Sequence, residues 1–327
     1  MGCGKSKTAA GANGSYLLVN PKVEKRVERG QYREDGGTTT LSVAAVSMQG
    51  WRKTMEDVCF FRCNDVGICM LGVFDGHSGA AASKFASENL LGCIQTTAEW
   101  GRGDIKGACT KGFIACDAAI RSQGITAGTT AVLGFVLPEK IIVANCGDSR
   151  AVLSRAGKQL PMSIDHKPSR KCEVRRIQRC GGTVDYSDPS WPRIICPPNK
   201  MSIACSRALG DHDFKTAESS PEEQIVSCCP EFYERDRSIE DELLLLGTDG
   251  IWDVMTSPEV VGLMSVRSQK QDIGAAASDL IDCCFSRGSM DNMTLVAIDL
   301  RQNQKLAEVG AEEVEVLELK EGSSYLS

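Results

Sequence analysis

The pattern of apolar and polar positions divides the chain into predicted strands and helices. Apolar runs predict strands over 38–48, 58–62, 68–74, 129–137, 140–145, 151–154, 243–247 and 293–300. A turn-rich link between the second and third of these strands predicts a hairpin. Apolar residues at helical spacing predict helices over 80–94, 105–121, 173–179, 258–266 and 273–285. The runs within 129–154 are separated by Pro138-Glu139 and Gly147-Asp148, which predicts an antiparallel meander. Antiparallel strands with paired helices predict an α+β fold.

The predicted elements are continuous from 38 to 301, without an internal repeat or linker, and therefore indicate one domain. The segment 1–37 is predicted to be a flexible arm. The segment 183–200 contains four Pro and is predicted to be an irregular excursion. The acidic tail 302–327 could be a helix, an edge strand or a tail, and we assign it no function.

Composition excludes several classes of protein. The chain has 327 residues and a net charge of −6, which argues against a nucleic-acid partner because phosphate backbones select basic faces. Sixteen Cys would suggest a disulfide scaffold in a short secreted chain, but no C-x-x-C pair occurs and the three His are scattered. We therefore expect most Cys to be small reduced core residues. Separately, we expect the protein to be a monomer.

The N-terminus fits the pattern for acylation. Gly2 follows Met1, Ser6 stands where Ser or Thr is required for myristoylation, and Cys3 beside Gly2 is a candidate for palmitoylation. Lys5 and nearby basic residues would add attraction to anionic lipid. The alternative is an ordinary flexible start. We expect lipidation at Gly2 and Cys3, which places the protein at the cytoplasmic face of the plasma membrane with a cytosolic pool.

Acidic residues recur at the ends of predicted strands. Asp75-Gly76 and Asp249-Gly250 end two apolar strands, Asp291-Asn292 opens the last one, and Glu56-Asp57 follows the first. Each alone is explained by a turn. Together, strand ends that meet at one rim would bring repelling carboxylates close, and such a set requires a hard cation such as Mg²⁺ or Mn²⁺. A pair of such ions has a standard use in phosphoryl hydrolysis.

Two further side chains suit that chemistry. Arg52 lies four residues before Glu56, and arginine is the natural bidentate partner of a phosphate. A surface Arg in a turn is an equal alternative. His77 follows Asp75 by two residues and could be a ligand, a capping residue or a general acid.

At this point the chain resembles the metal-dependent protein serine/threonine phosphatases of type 2C. Eight segments stand in the family's order: 48–52 with 55–57, 73–79, 128–131, 145–150, 165–168, 206–211, 248–253 and 291–294. Each motif is weak alone, but eight in order are specific, and they cover about residues 40–300.

The resemblance implies a four-layer αββα sandwich of two mainly antiparallel sheets, with a flap at about 165–205 beside the active site. It implies two Mn²⁺ or Mg²⁺ ions, and a weaker third, that activate water for direct hydrolysis of phosphoserine and phosphothreonine in proteins. The ligands it implies are Glu56, Asp57, Asp75, the carbonyl of Gly76, Asp249 and Asp291, with Asp148 and Asp253 joining Asp249 at the third ion. By the same resemblance Arg52 binds phosphate, His77 is the general acid, and Thr130 and Asn292 support the ligands.

Two other hypotheses compete with a metal-dependent phosphatase. A thiol phosphatase is disfavoured although Cys229 and Arg235 have the required spacing, because the residues between them contain no Gly and two Glu. A catalytically weak, membrane-anchored scaffold that binds phosphoproteins is the alternative from another class, but such relatives usually lose metal carboxylates, which are all present here. The chain departs from the family pattern in its long, Pro-rich flap with Trp191, which leaves substrate choice and metal affinity open.

Overall fold

The computed structural model describes residues 21–34, 39–63, 68–196 and 201–301. Gly2, Cys3 and the segment 302–327 lie outside these ranges, so the predictions made for them stay predictions. None of the helices in the described ranges is long and apolar enough to cross a membrane.

The described residues form strands and helices close to those predicted. The strands are β1 Lys22–Glu34, β2 Thr39–Gly50, β3 Val58–Cys63, β4 Cys69–Phe74, β5 Gly76–His77, β6 Gly128–Thr129, β7 Ala131–Val136, β8 Lys140–Cys146, β9 Arg150–Arg155, β10 Lys158–Pro161, β11 Thr183–Asp185, β12 Arg193–Cys196, β13 Met201–Ile203, β14 Leu209–Gly210, β15 Glu231–Asp236, β16 Asp241–Gly247 and β17 Met293–Asp299. The α-helices are α1 Ala81–Gln95, α2 Ala98–Gly101, α3 Ile105–Ser122, α4 Lys171–Arg179, α5 Asp249–Trp252, α6 Ser257–Ser268 and α7 Ile273–Ser286.

Two large antiparallel sheets form the centre of the molecule. The first has the strand order β1-β2-β17-β16-β9-β10, and the second has the order β15-β8-β7-β4-β3. Two small sheets complete the described fold: β14-β6-β5 beside the second sheet, and β11-β12-β13 in the flap. All pairings within these sheets are antiparallel.

The layers follow from strands that are apolar on both faces. In β16, Leu244 and Leu246 pack between the two sheets, while Leu243 and Leu245 pack under α6 and α7. The second sheet is covered by α1 and α3, with Phe113 fully buried beneath them. Side chains alternate across a strand, so a strand covered on both faces must be apolar throughout. The predicted αββα sandwich is thereby confirmed.

Three predictions about the fold are wrong. Residues 22–34 are not part of a flexible arm, because they form β1 and pair with β2 along its length. The strand β9 does not continue a meander from β8, because it pairs with β16 and β10 in the other sheet. The segment 183–200 is not irregular throughout, since β11, β12 and β13 form a sheet over a small apolar core containing Ile177 and Ile194.

The cysteines largely match the prediction. Eight of the thirteen described free Cys are buried, and they act as small apolar side chains. The exception is the pair Cys63 and Cys69, which face each other across β3 and β4 and are joined as a disulfide.

Candidate metal centre and active site

The predicted acidic side chains meet at one end of the two sheets. Asp75 follows β4, Asp249 begins α5 directly after β16, and Asp291 precedes β17. These three side chains line a polar cavity of about 820 Å³. Other predicted site residues that line it are Arg52, Glu56, Gly76, His77, Thr130, Asp148 and Asn292. Segments more than 200 residues apart in sequence therefore supply one cavity.

Asp57 is buried, Asp75 and Asp249 are half-buried, and none of the three has a cationic side chain at hydrogen-bonding distance among the residues that the structure describes. Burial raises the pKa of Asp57 to about 7, although a hydrogen bond from Thr248 opposes the shift. Burial, followed by repulsion from Asp249 and Asp57, raises the pKa of Asp75 well above its ordinary value. Burial and repulsion from Asp148 likewise raise the pKa of Asp249. Carboxylates crowded in this way are stabilised in their ionised form by bound cations.

Two threonines hold these residues in place, Thr130 through the backbone of Asp75 and Thr248 through the carboxylate of Asp57. The Asp75 backbone N–H donates to Thr130 Oγ1 at 3.1 Å, and the Thr130 N–H donates to the Asp75 carbonyl at 2.9 Å. Thr248 Oγ1 donates to Asp57 Oδ2 at 3.0 Å. Asp57 does not itself line the cavity but lies buried behind it. Thr130 therefore fixes the backbone that carries Asp75.

Asn292 anchors the loop that carries Glu56. Its Oδ1 accepts from the Glu56 backbone N–H at 2.8 Å, and its Nδ2 donates to the carbonyls of Gln49 and Thr54 at 2.8 and 3.1 Å. The Glu56 carboxylate accepts from Thr54 Oγ1 at 2.6 Å and from the Gly79 N–H at 3.1 Å. The loop 49–56 is thus held in one conformation against β17.

Two glycines allow the backbone segments to approach closely. A Cβ on Gly76 would lie 2.5 Å from the Glu56 carbonyl oxygen and 2.7 Å from Ser83 Oγ. A Cβ on Gly250 would lie 2.0 Å from the Asn292 carbonyl oxygen. The glycine that follows each strand-end Asp is therefore required by packing.

Arg52 lies at the rim of the cavity. Its guanidinium forms an ion pair with the Asp291 carboxylate, and 58% of the Arg52 side chain is exposed. The neighbouring Trp51 also lines the cavity and stacks on Phe285 of α7, with ring centroids 5.8 Å apart. Within the described residues, Arg52 therefore has donors at the cavity mouth beyond the one that contacts Asp291, where an entering anion would meet them.

His77 is paired with a carboxylate that sequence reasoning missed. Its Nε2 lies 2.7 Å from Asp211 Oδ2. Burial by itself would lower the pKa of His77, but the charge and hydrogen bond of Asp211 outweigh it and raise the pKa. The only sequence signal was the position of Asp211 at the end of a matched motif, and nothing in the spacing linked it to His77.

The remaining predicted acids form a second charged group beside the first. Lys167 Nζ donates to Asp148 Oδ2 at 2.6 Å. Asp253 follows α5 near these residues. Burial raises the pKa of Asp253, and the positive charge of Lys167 opposes this shift without cancelling it. Asp148 lines the cavity together with Asp249, whereas Asp253 does not.

Another set of possible metal ligands lies outside this cavity. One ligand atom each from His166, Glu173 and Glu231 comes within 4.8 Å of the others. Arg207 donates to both carboxylates, at 2.8 and 3.2 Å, and Arg176 donates to Glu173 at 2.6 Å. Guanidinium groups already satisfy these oxygens, so the set is a buried ion network and not a cation site.

Comparison with known proteins identifies the fold and the class of site. A family model described as Protein phosphatase 2C matches residues 41–293. The chain belongs to the protein phosphatase 2C family. It is 36% identical over 302 residues to "Probable protein phosphatase 1N" of Mus musculus, which covers 88% of this chain and 70% of that protein. It is 35% identical over 319 residues to "Protein phosphatase 1B" of Mus musculus, covering 89% and 77%.

A solved structure agrees with the fold of this phosphatase. The serine-threonine phosphatase 2C of Toxoplasma gondii has a TM-score of 0.71 at 20% identity, over 84% of this chain and 99% of that one. The family comparisons make the chain a metal-dependent serine/threonine protein phosphatase that acts on phosphoproteins, and the family depends on Mn²⁺ or Mg²⁺. The crowded carboxylate oxygens of the cavity fit such hard ions, and the comparisons do not support a scaffold.

Proposed function

We propose that this phosphatase hydrolyses phosphoserine and phosphothreonine in one step, with water attacking phosphorus and no phosphoenzyme. The observation that carries the proposal is the convergence of crowded, largely half-buried carboxylates on one cavity, with Arg52 at its mouth and His77 in its wall. Two Mn²⁺ or Mg²⁺ ions would be held by Glu56, Asp57, Asp75, the Gly76 carbonyl, Asp249 and Asp291, and a weaker third by Asp148, Asp249 and Asp253. When bound, such ions lower the pKa of a coordinated water and stabilise negative charge on the phosphoryl oxygens.

Arg52 is proposed to bind the substrate phosphate. Its guanidinium pairs with Asp291 through one nitrogen, so the other donors can form a bidentate contact with two phosphate oxygens. The Asp291 contact fixes the orientation of the guanidinium before substrate enters. Replacement of Arg52 should therefore act mainly on KM, because the phosphate contact exists before and during the reaction.

His77 is proposed to protonate the leaving serine or threonine oxygen. An alkoxide is a poor leaving group, so a proton delivered as the P–O bond breaks accelerates the reaction by roughly 10²- to 10⁴-fold. The raised pKa of His77 keeps the imidazole protonated to higher pH than a free histidine. A p-nitrophenolate leaving group needs no such proton, so its release should depend much less on His77.

The decisive experiment measures phosphate release from a phosphothreonine peptide by wild type, Asp75→Asn, Arg52→Ala and His77→Gln, with Mn²⁺ and after its removal. We expect activity only with metal, and a fall in kcat of roughly 10²- to 10³-fold for Asp75→Asn, the scale of one lost electrostatic contact. Glu240→Gln is the matched control, because Glu240 is exposed and far from the cavity lining. Full activity in Asp75→Asn, or without metal, would contradict the proposal.

A further inference from the structure

His77 and Asp211 form an imidazole–carboxylate pair in the wall of the cavity. They are 134 positions apart in sequence, and 29% and 7% of their side chains are exposed. The contact joins β5 to the turn after β14, on opposite edges of the small sheet β14-β6-β5. The carboxylate that approaches His77 most closely is thus not one of the acids assigned to the metal centre.

The backbone that delivers Asp211 is strained. Asp211 has φ 49° and ψ 43°, a left-handed conformation that is uncommon outside glycine, although Asp and Asn adopt it more often than other residues. The preceding Gly210 has φ 82°, and a Cβ there would lie 2.3 Å from the Ala127 carbonyl oxygen. Strain of this kind persists only where surrounding contacts enforce it, and it is concentrated at functional sites.

Buried contacts hold this turn from behind. The Gly210 N–H donates to Asp117 Oδ1 at 2.8 Å, and Lys215 Nζ donates to the same oxygen at 2.6 Å and to the Ala208 carbonyl at 2.9 Å. Asp117 comes from α3, so the turn is fixed to the helical layer. The Asp211 carboxylate takes no part in these contacts and is left to His77.

Gly128 provides the space for the pair. It lies opposite His77 in the β5–β6 pairing. A Cβ on Gly128 would lie 2.1 Å from Asp211 Oδ2 and 2.3 Å from His77 Nε2. Any side chain there would have to displace the carboxylate, the imidazole or both. Glycine at position 128 therefore allows the imidazole of His77 and the carboxylate of Asp211 to meet.

We propose that Asp211 is the positioning residue for His77. It accepts the Nε2–H, which fixes the ring and leaves Nδ1 to carry the proton that is transferred. The inference rests on the proposed function: as water forms its bond to phosphorus, the bond to the serine or threonine oxygen breaks with its electron pair. That oxygen takes the Nδ1 proton, and the neutral imidazole keeps Nε2–H on Asp211 until Nδ1 takes a proton from solvent.

The test compares two substrates that differ in their need for a proton. Asp211→Asn keeps the size of the side chain, and Asn tolerates the left-handed conformation better than most residues. We expect kcat for the phosphothreonine peptide to fall roughly 10- to 100-fold, the range for supporting residues, with little change for p-nitrophenyl phosphate. Asp213→Asn, an exposed neighbour in the same turn, is the matched control.

Two further measurements separate positioning from general damage. In the His77→Gln background Asp211→Asn should cause no additional loss, because the partner it positions is gone. The chain has three His, so ¹⁵N NMR of histidine-labelled protein with Mg²⁺ can follow the Nε2–H form directly. That form should dominate at His77 in wild type and lose its dominance in Asp211→Asn and in Gly128→Ala.

The outcomes distinguish the two proposals. Equal losses for both substrates, additive losses in the double variant, or an unchanged His77 signal would overturn the positioning role. If His77→Gln itself leaves the ratio of the two substrates unchanged, the general-acid assignment fails, and the positioning role fails with it. A selective loss in His77→Gln without one in Asp211→Asn overturns positioning alone.

Discussion

The metal-free phosphatase should become more stable when Asp57 is replaced by Asn. Burial raises the pKa of Asp57 from its ordinary value of 3.8 to about 7. One pKa unit corresponds to about 1.4 kcal/mol, so ionised Asp57 costs the metal-free fold on the order of 4 kcal/mol above pH 7. Asn keeps an oxygen that accepts from Thr248 Oγ1 and carries no charge, so Asp57→Asn removes this cost.

The sign of the pH dependence follows from the same shift. The folded chain holds the Asp57 proton to higher pH than the unfolded chain, so metal-free stability falls as pH rises from about 4 to about 7. The advantage of Asp57→Asn should therefore be on the order of 1–2 kcal/mol at pH 5 and grow to about 4 kcal/mol at pH 8.

Urea unfolding in the presence of EDTA, at pH 5 and pH 8, measures both differences. Added Mn²⁺ should stabilise wild type, by about 2.7 kcal/mol at a hundredfold excess over Kd, and Asp57→Asn much less. Glu240→Gln makes the same chemical change at an exposed position and should alter neither quantity. A difference between variant and wild type that is equal at both pH values would refute the raised pKa. Equal stabilisation by Mn²⁺ would remove Asp57 from the metal centre.

Three further substitutions test other parts of the fold. Glu173→Gln leaves Arg176 and Arg207 without their buried partner and should cost about 3–5 kcal/mol by urea unfolding at pH 7. Burial would raise the pKa of Glu173, but its contacts with the arginines outweigh burial and lower that pKa. The contribution of Glu173 to the free energy of unfolding is therefore lost as pH falls below about 4.5. Phe113→Ala empties a fully buried site and should lower the unfolding free energy by about 3–5 kcal/mol, measured the same way. Gly76→Ala places a Cβ 2.5 Å from the Glu56 carbonyl oxygen and should raise the Mg²⁺ concentration for half-maximal thermal stabilisation at least about tenfold; an unchanged midpoint would contradict that argument.

The structure differs from the sequence-based predictions where the local pattern of residues does not specify which strands pair with each other. The apolar run that became β9 was correctly predicted as a strand, but its partners are β16 and β10, not β8. Both of its faces are buried, so alternation could not indicate which sheet it joins. Residues 22–34 are rich in charge and read as an arm, yet they form β1 at an edge, where a strand faces solvent and polar side chains are tolerated.

The sequence by itself determined most of the core strands and helices, the class of fold, and the placement of Asp75, Asp249 and Asp291 at the ends of buried strands. Strands apolar on both faces require cover on both sides, and Asp-Gly at the end of a buried strand is a local feature that survives folding unchanged. Only the tertiary structure decided what each group meets: Asp211 at His77, Asn292 under the loop of Glu56, and Lys167 at Asp148. These partners come from distant segments, and their effect depends on distance and burial, which exist only once the layers have packed.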